Sequence, residues 1–222
     1  MEVLIERFNH TGEGIGVIDG KVIFVAKTIP GDIVEVFNIE DFKTYYKGEV
    51  KSFINYSSDR IKNECPYYDV CGGCQLMSIS YLKQLDYKRN KVREILKKYA
   101  GIDRNLDIIL SNKIYGYRNK ITLQVENGKI GLYKCNSNKL VSINNCLLVS
   151  DKVNEVIRLM QENLDLIGIK NIMIREYQDN LMVQFIGSID KSSVLEVLTN
   201  YVMVIYINDE LIYGGKSLEV NS

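Results

Sequence analysis

Gly12-Glu13-Gly14-Ile15-Gly16-Val17-Ile18-Asp19-Gly20-Lys21-Val22-Ile23-Phe24-Val25 decides how the N-terminal region folds. Three glycines after a β-favouring run at residues 3–8 have the look of a phosphate loop, but such a loop must open a helix whose first amides hold the anion. Here the glycines open no helix: Gly14–Ile18 and Lys21–Val25 are β-favouring and joined by Asp19-Gly20, a two-residue hairpin signal. The glycines therefore serve tight turns and curvature, and a dinucleotide site is set aside. Pro30-Gly31-Asp32 makes the next turn, and residues 33–39 and 43–54 alternate apolar and polar side chains. Five short strands over residues 1–56 close most easily into a small OB-like β-barrel, because closure hides the edges an open sheet would expose.

The 222 residues are 46% hydrophobic, enough for sizeable cores, which excludes disorder and collagen. Lys and Arg number 28 against 28 Asp and Glu. That formal zero is uneven along the chain: residues 1–40 carry three basic and seven acidic side chains, residues 41–148 nineteen and ten, and residues 149–222 six and eleven. A neutral total thus conceals a basic middle, where a polyanion would bind. No apolar run reaches the roughly 18 residues of a membrane span, and Met1-Glu2-Val3-Leu4-Ile5-Glu6 lacks the basic start of a signal peptide, so a cytoplasmic protein without a membrane partner is expected. His10 is the one histidine, which leaves Ser-His-Asp catalysis, a His-rich zinc hydrolase and His-based acid–base pairs almost nothing to work with.

Beyond the barrel the reading is a cysteine loop over residues 57–77, a basic amphipathic helix over 78–101 and an α+β domain over 102–222. Ser78 is expected to cap the helix, Leu82, Leu85, Val92, Ile95 and Tyr99 fall at helical spacing, and Gly101 suits its stop. The other face carries Lys83, Lys88, Arg89, Lys91, Arg93, Lys97 and Lys98 against only Asp86 and Glu94. This is either a solvated face or a phosphate-facing one. Strands then return at Lys120–Glu126 and 129–134, joined by Asn127-Gly128, and at 139–143. A helix opened by Ser150, a hairpin over 171–177 and 181–186, a helix over 192–200 and a strand over 201–208 complete an antiparallel sheet with helices on one face.

The sharpest motif is Cys65-Pro66-Tyr67-Tyr68-Asp69-Val70-Cys71-Gly72-Gly73-Cys74. Three thiolates at C-x5-C-x2-C can converge on one metal centre, because the x2 spacing folds two sulfurs to one side of a tight turn. The fourth ligand is Cys146 or Cys135. By spacing alone, structural zinc and an iron–sulfur cluster are equal readings.

With these motifs in order, the sequence resembles the RNA (uracil-5-)-methyltransferases, which form 5-methyluridine in ribosomal or transfer RNA. His10-Thr11-Gly12-Glu13-Gly14 through Ile29-Pro30-Gly31-Asp32 resembles that family's N-terminal TRAM barrel, an RNA-binding module. The run from Glu64 to Gln75 resembles its iron–sulfur loop, and Tyr117-Arg118-Asn119-Lys120 and Val141-Ser142-Ile143-Asn144-Asn145-Cys146 resemble later segments of the family. The resemblance implies that Cys65, Cys71, Cys74 and Cys146 hold a four-iron four-sulfur cluster (zinc being the alternative), with Cys135 left over as an ordinary thiol. It also implies a subsequent Rossmann-like methyltransferase domain with an S-adenosylmethionine (SAM) loop, a cysteine nucleophile and a catalytic carboxylate. None of these has a counterpart through Ser222, where Leu211-Ile212-Tyr213-Gly214-Gly215-Lys216 resembles the approach to that domain. The methyltransferase domain is therefore expected to be missing from this chain, which has no catalytic residue of its own, and SAM is expected only in a full-length form.

On this reading the chain is the RNA-recognition and iron–sulfur portion of such an enzyme, with structured RNA as partner. Its candidate RNA contacts are Arg118 and Lys120 first, then Tyr117, Lys88, Arg89 and Lys47, where cations stand beside ring faces. Two other readings differ in class. One is a stand-alone metalloprotein that binds RNA or docks a partner, with self-association through the apolar face of helix 78–99. The other is an electron-transfer protein built on the cysteine loop.

Overall fold

In the computed structural model, which describes residues 1–215, the first β-rich run breaks at Ile5 and Glu6 into β1 (Glu2–Leu4) and β2 (Arg7–Phe8). β3 (Gly14–Ile18) and β4 (Lys21–Val25) come next with the expected bounds, and Asp19 and Gly20 turn between them with φ of 49° and 77°. β5 (Ile33–Asp41) and β6 (Tyr45–Asn55) complete a six-stranded sheet in the order β1-β5-β6-β4-β3-β2. Six strands replace the five expected because one run serves both edges: β1 pairs with β5 and β2 with β3. Between them the Ile5 amide donates to Asp32 O at 2.9 Å and the Glu6 amide to Ile15 O at 2.8 Å, so the chain itself joins the two ends of the sheet. The β4–β6 pair is parallel. Val3, Ile5, Ile18, Ile23, Val25, Val34 and Val36 fill the interior.

α1 (Tyr81–Ala100) is capped by Ser80, whose side chain accepts from the Lys83 amide, and ends on Gly101 at φ 67°. The expected cap, Ser78, is two residues too early. Its hydroxyl is fully buried and lies 3.1 Å from the Tyr68 hydroxyl, which also donates to Gln75 O at 2.9 Å. Burial holds the Tyr68 hydroxyl above its ordinary pKa, so it stays a neutral donor. Of the apolar residues on α1 only Leu85 is buried; Leu82, Val92, Ile95 and Tyr99 are exposed.

The described chain forms two compact units: residues 1–69 with 74–110, and residues 70–73 with those from Ser111 onward. The barrel and α1 thus belong to one unit. Four residues of the cysteine loop belong to the other, because Cys71 bridges to Lys134 and the Gly72 amide donates to Tyr133 O at 2.9 Å. Any β carbon on Gly72 would stand 2.9 Å from Tyr133 O and 3.0 Å from Cys135 N, so that approach requires glycine.

The second unit is a seven-stranded sheet with two helices. β7 (Lys120–Glu126), β8 (Lys129–Tyr133) and β9 (Leu140–Ser142) precede α2 (Asp151–Asn163), whose N-cap is Ser150 as expected. β10 (Ile169–Tyr177) and β11 (Asn180–Gly187) form the hairpin, and α3 (Lys191–Leu198), capped by Asp190, leads to β12 (Val204–Ile207) and an unexpected β13 (Glu210–Tyr213). The order is β13-β12-β11-β10-β7-β8-β9. The all-antiparallel expectation is corrected at one pair: α3 carries the chain back so that β12 runs parallel to β11. Gln161 ties α2 to the β7–β8 hairpin, accepting from the Ile130 amide at 2.7 Å and donating to Gly128 O at 3.1 Å. Of the segment 211–216, Lys216 lies outside the described residues.

Candidate nucleic-acid interface

Ile121, Leu123, Ile172, Ile174, Val183 and Phe185 alternate into the core of the second unit, so their neighbours on β7 and β10 point outward. On that outer face Lys120 stands directly opposite Arg175, and both are exposed. Like charges in that position repel, and among the described residues neither side chain has an ion-pair or hydrogen-bond partner. An anion placed between them would turn this repulsion into attraction. Arg118 and Tyr117 lie just before β7, with the Arg118 amide donating to Leu148 O at 2.8 Å and the Gly116 amide to Leu147 O at 2.9 Å. Tyr117 is 55% exposed there, and Arg118, two residues before Lys120, is exposed as well. Tyr117, Arg118 and Lys120 are thus exposed neighbours in sequence, and the structure adds Arg175 opposite Lys120, which the sequence reading missed. Only the β7–β10 register reveals it.

The other three candidates sit in the first unit. Lys47 lies on β6 with its ammonium 6.0 Å from the Phe42 ring centre. Lys88 is exposed on α1, and Arg89 is held by Asp86 at 2.6 Å. The basic face of α1 is largely ion-paired: Lys83 with Asp59 at 2.9 Å, and Arg93 and Lys97 both with Asp103. These partners hold the Asp103 carboxyl below its usual range. Exposed pairs of this kind are weak because water and salt screen them, so phosphates can displace them at little cost.

A four-iron four-sulfur cluster needs four thiolates. All five cysteines are thiols rather than half-cystines, and the Cys71 sulfur accepts an amide hydrogen bond from Gly73 at 3.4 Å, the contact that stabilises a thiolate. The donor chemistry fits. Cys65 and Cys74 belong to the first unit and Cys71, Cys135 and Cys146 to the second. Among the described residues no three Cys, His, Asp or Glu side chains are gathered as ligands of a metal ion would be. Cys146 is bracketed by Asn154, whose side chain accepts from its amide at 2.8 Å and donates to its carbonyl at 3.1 Å. In the first unit, the Lys27 ammonium donates to Cys74 O at 2.7 Å and lies 4.2 Å from the Tyr68 ring centre. Among the described residues no helix is long and apolar enough to cross a membrane.

Residues 1–51 match the TRAM domain family. An uncharacterized RNA methyltransferase of Clostridium tetani is 35% identical over 175 residues, 77% of this chain and 38% of that protein. Another, of Clostridium acetobutylicum, is 36% identical over 168 residues, 72% of this chain and 36% of that one. The chain thus spans well under half the length of these curated relatives. Among solved structures, the tRNA (uracil-54, C5)-methyltransferase of Pyrococcus abyssi in complex with S-adenosyl-L-homocysteine superposes with a TM-score of 0.66 at 25% identity, covering 96% of this chain and 54% of that one. A TRAM domain at the N-terminus, continued by sequence and fold shared with these enzymes, places the chain with the N-terminal portion of the TRAM-containing RNA methyltransferases, the family its motifs resemble.

Proposed function

We propose that this chain supplies the RNA-recognition portion of a cytoplasmic uridine 5-methyltransferase acting on ribosomal or transfer RNA, with SAM as methyl donor in a full-length form. The observation that carries this reading is the outward-facing Lys120–Arg175 pair with Arg118 and Tyr117 beside it. The paired cations, with an exposed cation and ring in the segment just before β7, suit the phosphates and an unstacked base of structured RNA. Family membership supports the same reading. Affinity of the purified chain for a structured RNA is expected to fall steeply with added salt, since each neutralised phosphate releases counterions. A chain that binds no RNA at low salt does not have this function.

Cys65, Cys71, Cys74 and Cys146 are proposed as the ligands of a four-iron four-sulfur cluster with a structural role. The resemblance and the donor chemistry support it. Anaerobic purification should give a brown protein with iron and acid-labile sulfide in a ratio near one, in an amount of about four of each per chain. A colourless protein with one zinc and no sulfide would replace the cluster by the alternative metal. The exposed Leu82, Val92, Ile95 and Tyr99 on α1 favour self-association as a second property, which sedimentation of the purified chain checks.

A further inference from the structure

At the tip of the β5–β6 hairpin, Phe42 and Tyr45 stack face to face with centroids 4.7 Å apart and planes 14° from parallel. The Phe42 amide donates to Tyr45 O at 2.9 Å, which fixes the two backbones that carry the rings. Phe24 of β4 braces Tyr45 edge-on at 5.3 Å and 68°. Phe42 remains 37% exposed despite this support. Exposed aromatic side chains gain more by packing inward, so a braced pair left in water at a hairpin tip is a preformed flat surface.

The charges around it define its occupant. Asp41 is taken by Lys21, whose ammonium also lies 4.1 Å from the Tyr46 ring centre. Glu40 stands opposite Lys47 in the strand register. Lys43, next to Phe42 at the hairpin tip, is exposed and has no ion pair among the described residues. Among the described residues Lys47, whose ammonium lies 6.0 Å from the Phe42 ring centre, has no ion pair either, so the site carries two unspent cations. That combination suits one nucleotide: a base face on Phe42 and its phosphate on Lys43.

We propose that Phe42 and Tyr45, with Lys43, form a stacking site for an unpaired base of single-stranded RNA. The proposal rests on the reading of the chain as an RNA-binding portion and adds a site on the barrel that acts by stacking. Binding of a 12-nucleotide oligouridine and of a 12-base-pair RNA duplex tests it at several salt concentrations. Phe42→Ala and Phe42→Leu should weaken oligouridine binding about tenfold, leave the salt slope and duplex affinity unchanged, and be rescued by Phe42→Tyr. Lys43→Gln should lower the salt slope by about one. Circular dichroism melting should show that the exposed substitutions leave the fold intact. If the parent chain binds oligouridine and both Phe42 variants bind it equally well, the stacking site is wrong while the RNA reading stands. If Phe42→Ala changes only the sedimentation of the chain, the rings serve a protein contact and the proposal fails. A parent chain that binds neither RNA overturns both.

Discussion

Replacing Arg60 by Met is expected to destabilise the barrel unit by about 3–5 kcal/mol, because it leaves the Asp32 carboxylate charged and buried without its cation. Asp32 has no exposed side-chain surface, and Arg60 is 12% exposed. The carboxylate accepts from the Ile29 amide at 2.7 Å, the Ser57 amide at 3.0 Å and Arg60 Nε at 3.2 Å, with Arg60 Nη2 as the second arm of the fork. Arg60 also donates to Lys27 O at 3.1 Å and places its guanidinium carbon 4.6 Å from the Phe53 ring centre. The pair thus ties the Pro30-Gly31-Asp32 turn to the segment leaving β6. Met preserves the contact with Phe53, so the loss reports the charge. Asp32→Ala should cost a similar amount by stranding the guanidinium and two amides. The double variant should cost clearly less than the sum, since no charge is left alone. Urea unfolding midpoints check all three; a loss under about 1 kcal/mol for Arg60→Met would mean that water reaches the Asp32 carboxylate, contrary to the burial described.

Gly14→Ala is the second large effect, about 3 kcal/mol by overpacking. A β carbon there would stand 2.0 Å from Thr28 Oγ1 and 2.7 Å from Ile5 Cγ2. Thr28 cannot step aside cheaply: it is fully buried and its hydroxyl donates to Val25 O at 2.8 Å. Ile5 sits at the break between β1 and β2 that closes the barrel, so displacing it strains the closure. Truncating the obstacle should restore part of the loss, with Gly14→Ala/Thr28→Ala more stable than Gly14→Ala alone. Equal thermal midpoints for Gly14→Ala and the parent would show that β3 can shift away from Thr28, contrary to the packing described.

The local parts of this fold were legible because their determinants are local. Asp19-Gly20 and Asn127-Gly128 set two hairpins, and β3, β4 and β7 have the bounds their patterns predict. What escaped depends on partners far along the chain. Ser78 and Ser80 are equally good caps in isolation, and only the Tyr68 hydroxyl, ten residues back, removes Ser78 from the choice. The split of the first strand requires knowing that its two halves have different neighbours. The cationic face of α1 reads as open until Asp59 and Asp103 are placed against it. Arg175 lies in an ordinary strand and acquires meaning only from Lys120 across the sheet, and Phe42 only from Tyr45 across the hairpin. The cysteines show the opposite imbalance: their spacing announces a metal centre, whereas among the described residues their side chains are not gathered into one.

The most direct measurement is the salt dependence of structured-RNA affinity for the parent chain and for the Lys120→Gln/Arg175→Gln variant. If this pair receives phosphate, the slope of log affinity against log salt should become shallower by about two, and low-salt affinity should fall at least tenfold. Because the substitutions remove a repulsive pair, the variant should be no less stable than the parent. An unchanged slope, with RNA binding intact, would contradict the assignment of this sheet face as the RNA-binding surface.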